Sequence, residues 1–345
     1  MNKVLVIATS RKTRGGITSV VKAHETGPQW RKNHCKWIQT HRDGCSLRKI
    51  LYLIIALLEY LILLPFYDII HVHVSYGNSA KRKLIFIRLA KLLHKKIIIH
   101  FHPATEKHLF EDKYAKATNK LFSYSDLLIV LSPQWERWIN QAFPNNNFKI
   151  TVLYNPCPIV NIDFSQRKNH ILFAGTLNER KGYNRLLEAF SLICKQYSDW
   201  KIIFAGNGEI NKAKELQKKL NIPDSQIEYL GWISGSLKER TFQEASIYCL
   251  PSWGEGFPMG ILDAWAYGIP VITTPVGGIT DVVKNDINGL IFQTYNLHEL
   301  AACIEKLIKS NDYRNKIVQE ADKLVQNEFN IININKQLEN IYSSL

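Results

Sequence analysis

From residue 168 to residue 293 the chain repeats one pattern: a short apolar run rich in β-formers, a turn, then a polar stretch with helical periodicity. HILFAG, KIIFAG, IEYLG, IYCLP, PVITT and GLIF are the runs; NRLLEAFSLICKQ and INKAKELQKKL are helical stretches between them. Strands that alternate with helices pair in parallel and carry helices on both faces of the sheet, so the pattern predicts a doubly wound α/β domain. Ligands of such sheets bind outside the C-terminal strand ends, near a reversal of strand order. The segments 175–182, 206–209, 231–233 and 253–259 each follow a strand and are expected on one rim.

The first half reads likewise, with VLVIA, DIIHVHV, KIIIHFH, LLIVLS and ITVLYN as strand candidates. A chain of 345 residues exceeds what one core usually organises, so two domains are expected, 1–158 and 165–328. Between them the stretch NPCPIVNIDFSQRKN at 155–169 reads as a linker, with Asn155 structural.

The segment most informative about chemistry is EGFPMGILD, a Gly/Pro turn running into an amphipathic helix and bracketed by Glu255 and Asp263. The helix start between the two carboxylates offers free backbone N–H groups and a positive dipole end, an attractive place for a phosphate. Acid, phosphate site, acid suits a diphosphate flanked by a sugar and a ribose. In GTLNERKGYNR, Arg180 and Lys181 follow a strand and precede a helix, where a forked donor and a point charge together neutralise a departing diphosphate. Gly15 and Gly16 after the first strand let backbone approach a ligand closely. In KIIIHFH, His100 and His102 share a face, and His102 falls at the strand end. His71 and His73 alternate in the same way, but no acid or thiol stands at ligand spacing, so no metal site is expected.

Several classes are disfavoured. No G-x-G-x-x-G follows the first strand, no G-x-x-x-x-G-K-[ST] occurs, and Asp-x-Asp is absent. Six cysteines are scattered without C-x-x-C spacing, which reads as free thiols in a reducing compartment. The start, MNKVLVIATS, fits a buried first strand and not a secretory signal.

Taken with these motifs, the chain resembles the retaining, nucleotide-sugar-dependent glycosyltransferases of the GT-B architecture, family 4, over nearly its whole length and most strongly from 170 to 295. That resemblance implies two Rossmann-like domains facing across a cleft, with the first binding acceptor and the second binding the nucleotide-sugar. It also implies that the last helix, within 329–345, crosses back to the first domain. The family has Glu, seven residues, Glu where this chain has Glu255, seven residues, Asp263. By resemblance Glu255 contacts the transferred sugar and Asp263 the ribose, the shorter Asp reaching one methylene less far. His102 matches a cleft histidine touching the donor sugar, and the Gly15–Gly16 loop faces donor phosphates. Gly175 precedes Thr176 where family members often carry Arg, which places the phosphate role on Arg180 and Lys181. Gly206 and Gly208 resemble the turn beside the nucleotide, and Phe257, Pro258, Met259 and Gly260 the donor-binding helix start.

The activity expected is metal-independent, cofactor-free hexosyl transfer with retention, UDP-sugar favoured, onto a lipid-linked glycan in cell-surface polysaccharide synthesis. A nucleotide-sugar epimerase is the alternative within the fold. A basic nucleic-acid- or membrane-binding module is the alternative from another class, and the absence of an aromatic stacking platform counts against nucleic acid.

Charge is uneven. Residues 1–160 hold 24 Lys and Arg against 9 Asp and Glu, and the remainder 20 against 21. The excess in the first half predicts an anionic partner, with an anionic membrane surface favoured. The apolar stretch 48–64 is interrupted by Glu59 and followed by Pro65; it is expected as a helix of the first domain, either buried in its core or lying on a bilayer. The protein is accordingly expected in the cytoplasm, peripheral on the inner face of the cell membrane.

Overall fold

The computed structural model describes residues 2–293 and 295–345. The chain divides into two compact units, Met1–Pro156 with Phe329–Leu345, and Cys157–Glu328.

The first unit holds a six-stranded parallel sheet: β1 (Val4–Ala8), β2 (Lys36–Gln39), β3 (Ile69–Val74), β4 (Lys96–Phe101), β5 (Leu127–Val130) and β6 (Ile150–Val152), in the order β2-β1-β3-β4-β5-β6. Beyond the predicted strands it contains KWIQ as β2, an edge strand of four residues whose buried members are Trp37 and Ile38. β1, β3, β4 and β5 are almost wholly buried, as expected of central parallel strands covered on both faces. The helix Ile331–Ser343 belongs to this unit. Its Ile334, Leu338 and Tyr342 enter the core beside Val4, Val6, Ile69 and Ile98, and Tyr342 shares a 2.7 Å hydrogen bond with His71 Nδ1.

The second unit repeats the architecture with β7 (Lys168–Ala174), β8 (Lys201–Ala205), β9 (Ile227–Tyr229), β10 (Ala245–Leu250), β11 (Val271–Thr273) and β12 (Leu290–Ile291), ordered β12-β11-β10-β7-β8-β9. Strand order reverses between β7 and β10, which pair directly, so the loops leaving these two strands flank the switch point. Both sheets are parallel throughout, the α/β plan read from the sequence.

The boundary between the units, at Pro156/Cys157, falls inside the stretch 155–169 read as a linker. From Cys157 the stretch is part of the second unit, and the Arg167 guanidinium donates to the carbonyls of Phe242, Gln243, Ala245, Tyr267 and Gly268. One planar fork thereby satisfies backbone acceptors of two separate loops. All six cysteines are free thiols.

Because Tyr342 is fully buried in the first unit's core, Tyr342→Ala should lower the stability of that unit by about 3–5 kcal/mol. Tyr342→Phe, which keeps the ring and loses the bond to His71, should cost about 1–2 kcal/mol, read by denaturant unfolding.

Candidate active site

In the second unit the turn after β7 is built by Asn178, whose side-chain carbonyl accepts Lys181 N–H at 2.9 Å and caps the single turn Glu179–Lys181. Gly182 then adopts φ 78°, and a Cβ there would lie 2.0 Å from Pro251 O, so only glycine lets the β7 and β10 loops approach this closely. The loops are further laced by Trp253 N–H donating to Arg180 O at 2.7 Å and by the Arg180 guanidinium donating to Gly254 O.

This turn delivers Arg180 and Lys181 to Glu255. Lys181 Nζ lies 2.6 Å and Arg180 Nη1 3.6 Å from Glu255 Oε1, and Ser252 Oγ donates to the same oxygen at 2.7 Å. Glu255 is buried, so its carboxylate sits among two cations and a hydroxyl with little water to screen them. Next to it the helix Met259–Ala266 begins after Pro258, with no side-chain cap and no acid in its first turn. Its opening amides therefore receive nothing from a capping side chain, the condition under which a helix start attracts an anion. Phe257 and Pro258 are buried and shape the turn, while Met259 and Gly260 stand at its half-open mouth. A Cβ on Gly260 would fall 2.1 Å from the Tyr248 hydroxyl, so this glycine first serves the packing of the helix on β10.

The remaining rim segments meet the same edge. Gly175 N–H donates to Ala205 O, Leu177 bridges Gly208, and Asn207 Oδ1 accepts Trp232 N–H at 2.9 Å, linking the loops after β7, β8 and β9. Arg180, Lys181, Glu255, Gly175, Gly206, Gly208, the 257–260 turn and Asp263 thus all belong to the second unit, around the C-terminal ends of β7, β8 and β10.

Residues 160–324 match the family model described as glycosyl transferases group 1. Among curated proteins, an uncharacterized glycosyltransferase of Methanocaldococcus jannaschii is 25% identical over 250 residues, covering 67% of this chain and 64% of that protein. The amylovoran biosynthesis glycosyltransferase AmsK of Erwinia amylovora is 26% identical over 279 residues, 76% of this chain and 67% of that one. The chain spans about half to two thirds of the length of these and other curated relatives. Among solved structures, Anabaena HepE in complex with UDP-glucose superposes with TM-score 0.80 at 18% identity, covering 100% of both chains. The two-sheet GT-B fold is therefore the fold of this chain.

In the second unit, Asp263 is the second acid of the motif and has a partner that no local pattern announces. Lys238, on the helix Gly235–Glu244, places Nζ 2.7 Å from Asp263 Oδ2. Burial pushes the Asp263 carboxyl above its ordinary range, and the Lys238 charge opposes that shift. Ser252 and Arg185 were equally silent in the sequence. Arg185 donates to Pro251 O at 2.6 Å and stacks on the exposed Trp253, 3.7 Å from its ring centroid. The Asn-x-x-Lys spacing of a capped turn was the one available signal, at Asn178.

The other predicted residues lie in the first unit. Gly15, at φ 141°, precedes the helix Gly16–Glu25, whose N-cap has no side-chain hydrogen bond. His102 falls one residue beyond β4, its Nε2 sharing a 3.0 Å hydrogen bond with His73 Nδ1. Behind it the structure assembles a cluster that spacing alone did not suggest: the rings of His71, His73, His100 and His102 pack with centroids 4.3–5.4 Å apart. The ligand nitrogens of His71, His73 and His100 lie within 4.8 Å of one another, but the group contains no carboxylate or thiolate. The buried ammonium of Lys83, bound to His73 O and Ser79 Oγ, stands beside it. Burial lowers every one of these imidazoles, His102 to about 3, and it also lowers the buried His24, which bonds to Asn335, to about 4 and Lys83 to about 7. A neutral cluster is the consequence, and a dication would have no anion there to offset its desolvation.

Two predictions follow from these charges. Histidines depressed in the folded state bind protons more readily when unfolded, so their contribution is complete above about pH 6.5 and is lost as pH falls from there toward 4. Acid unfolding of the first unit should begin in that window, and His100→Phe, which replaces a buried ring with two unpartnered nitrogens, should shift the midpoint to lower pH. Lys238→Met leaves Asp263 buried without its counter-charge and raises the carboxyl further. A raised acid loses stability as pH climbs through its folded pKa, so the melting-temperature deficit of this variant should widen from pH 5 to pH 8. The stability lost at neutrality should be about 1–3 kcal/mol, moderated by the partial exposure of Lys238.

Proposed function

We propose that the protein transfers a hexosyl group from a nucleotide-sugar, UDP-sugar favoured, to a lipid-linked glycan during cell-surface polysaccharide synthesis. The observation that carries this reading is the Lys181–Glu255–Arg180 cluster at the β7/β10 switch point, beside an uncapped helix start. The relatives named for polysaccharide synthesis and the UDP-glucose held by the Anabaena neighbour support the choice of donor and product class.

In the proposed reaction the bond between the anomeric carbon and the diphosphate oxygen breaks, negative charge builds on the phosphate and the sugar acquires oxocarbenium character. Lys181, Arg180 and the Met259–Gly260 amides are aimed at that phosphate charge, so they are worth more in the transition state than in the ground state. Glu255 holds both cations in place before the donor arrives and turns to the sugar hydroxyls once the diphosphate competes for Lys181. Asp263, kept ionised by Lys238, accepts hydrogen bonds from the ribose hydroxyls. Glu255 is engaged by two cations and Asp263 by a third, which leaves no carboxylate pair of the kind a double-displacement glycosidase uses. The leaving phosphate oxygen takes the proton of the acceptor hydroxyl as that hydroxyl attacks from the same face, giving retention. The cations perform the charge neutralisation that other architectures assign to a metal held by Asp-x-Asp. The chain acts in the cytoplasm, peripheral on the membrane that displays its acceptor.

Thermal-shift titration with UDP-, GDP- and ADP-sugars should give the largest stabilisation with a UDP-sugar. Lys181→Ala and Glu255→Gln should each lower kcat by roughly 10²–10³, and Lys181→Ala should also lower the melting temperature because it takes a counter-charge from the buried Glu255. Wild-type-like turnover in both variants would refute the assignment, and donor conversion without any acceptor would favour the epimerase instead.

A further inference from the structure

The helix Ser46–Leu63 is the anomaly of the first unit. At 18 residues it is about 27 Å long and apolar enough to cross a membrane by length and composition. It does not stand free to do so, because one face is packed on its own unit: Ala56 and Tyr60 are buried, and the Tyr60 hydroxyl donates to Phe86 O at 2.8 Å. The opposite face should then be polar. Instead, leucines and isoleucines at 47, 50, 51, 54, 55, 58, 61 and 62 are all exposed, from 46% to 76%. Their spacing of three and four residues makes a continuous stripe along the outside of the helix. Soluble proteins rarely leave such a stripe uncovered.

The stripe continues past the helix end. Phe66 is 68% exposed, and Lys95 Nζ donates to Pro65 O at 3.0 Å, tying the turn that carries Phe66 to the chain that carries the exposed Leu92 and Leu93. Charge around the patch is mostly basic, the exposed Asp43 just before the helix being an exception. Arg48 and Lys49 are exposed in the first helical turn, and Arg88 and Lys91 are exposed on the neighbouring helix Asn78–Leu92. The only acid on the stripe's helix, Glu59, lies 3.5 Å from Lys36.

We propose that this face is a membrane-docking surface, with the Ser46–Leu63 helix lying in the plane of an anionic bilayer. Its leucines and isoleucines enter the acyl boundary, and Arg48, Lys49, Arg88 and Lys91 sit at the headgroups. A second copy of the chain would cover the apolar area equally well, but it would bring together two units that each carry the whole positive excess of the sequence. An anionic lipid surface brings the opposite charge. The proposal rests on the lipid-linked acceptor reading only for its purpose, and it is tested separately from donor binding.

The test is flotation of the full chain with phosphatidylethanolamine vesicles containing phosphatidylglycerol, and with the same vesicles lacking it. Wild type should float with the anionic vesicles and detach as salt rises. Ile54→Asp with Leu58→Asp, both at exposed positions, should weaken binding at least about tenfold while leaving the UDP-induced thermal shift unchanged. Arg48→Glu with Lys49→Glu should remove the preference for phosphatidylglycerol. As a readout on the unsubstituted chain, a polarity-sensitive fluorophore on the exposed Cys45, which precedes the helix, should shift to the blue on adding anionic vesicles. Absence of both flotation and fluorophore shift at low salt overturns the proposal. So does a wild-type dimer that the double Asp variant dissolves, if neither protein floats, since the face would then join two copies. Flotation without any UDP-sugar shift would remove the donor reading and leave the docking surface standing.

Discussion

A carboxylate as enclosed as Glu255 is tolerable only with charge beside it. Left alone at that depth, its charge would be several kcal/mol out of balance. The surroundings of Glu255 can be understood as the means of avoiding that outcome. Lys181 comes from the loop after β7, Ser252 and the carboxylate from the loop after β10, and the two loops touch because β7 and β10 are neighbours at the reversal of strand order. The glycine at 182 exists because Pro251 O occupies the space a side chain would need. Asn178 fixes the turn that aims the lysine. A fold-level property, the order of strands in a sheet, is thereby converted into a 2.6 Å contact between residues 74 positions apart.

What the sequence made legible, and what it hid, divides along the distance over which each signal acts. The strands HILFA, KIIFA and ASIYCL announced themselves because a buried parallel strand must be apolar on both faces, and that requirement is local. Glu255 and Asp263 were visible for the same reason, being fixed relative to one helix. β2 was not visible: KWIQ has two buried positions in four and carries its hydrogen bonds at the sheet edge, so neither alternation nor a continuous run marks it. Lys238 was out of reach because its role is defined only by the packing of its helix against the helix carrying Asp263. In the stretch 155–169, Pro and Asn forecast irregular backbone, but not that one arginine would anchor the segment through five carbonyls.

The histidines show a further limit. Strand alternation correctly put His71 and His73 on one face, and His100 and His102 on one face. Only the register of β3 beside β4, with His73 opposite His100, makes these a single stack. Once stacked and buried, their lone pairs matter more than their charges. The 3.0 Å bond between His73 and His102 constrains which ring nitrogen of His102 carries a proton, so the cluster sets the face His102 can offer to a ligand. Lys83 adds to this by penalising any protonation of His102.

The two carboxylates of the motif also differ in a way their spacing conceals. Glu255 faces two cations and a hydroxyl from the loops after β7 and β10. Asp263 is held by a lysine from another helix, whose charge opposes the upward push of burial on its pKa. A glutamate at this position would extend one methylene further into the rim and would alter its geometry with Lys238. The aspartate keeps the charge back, close to its partner and away from solvent. The shorter acid and the lysine opposite it are best understood as one unit, in which the lost reach is matched by a counter-charge that works against the effect of burial on the carboxylate.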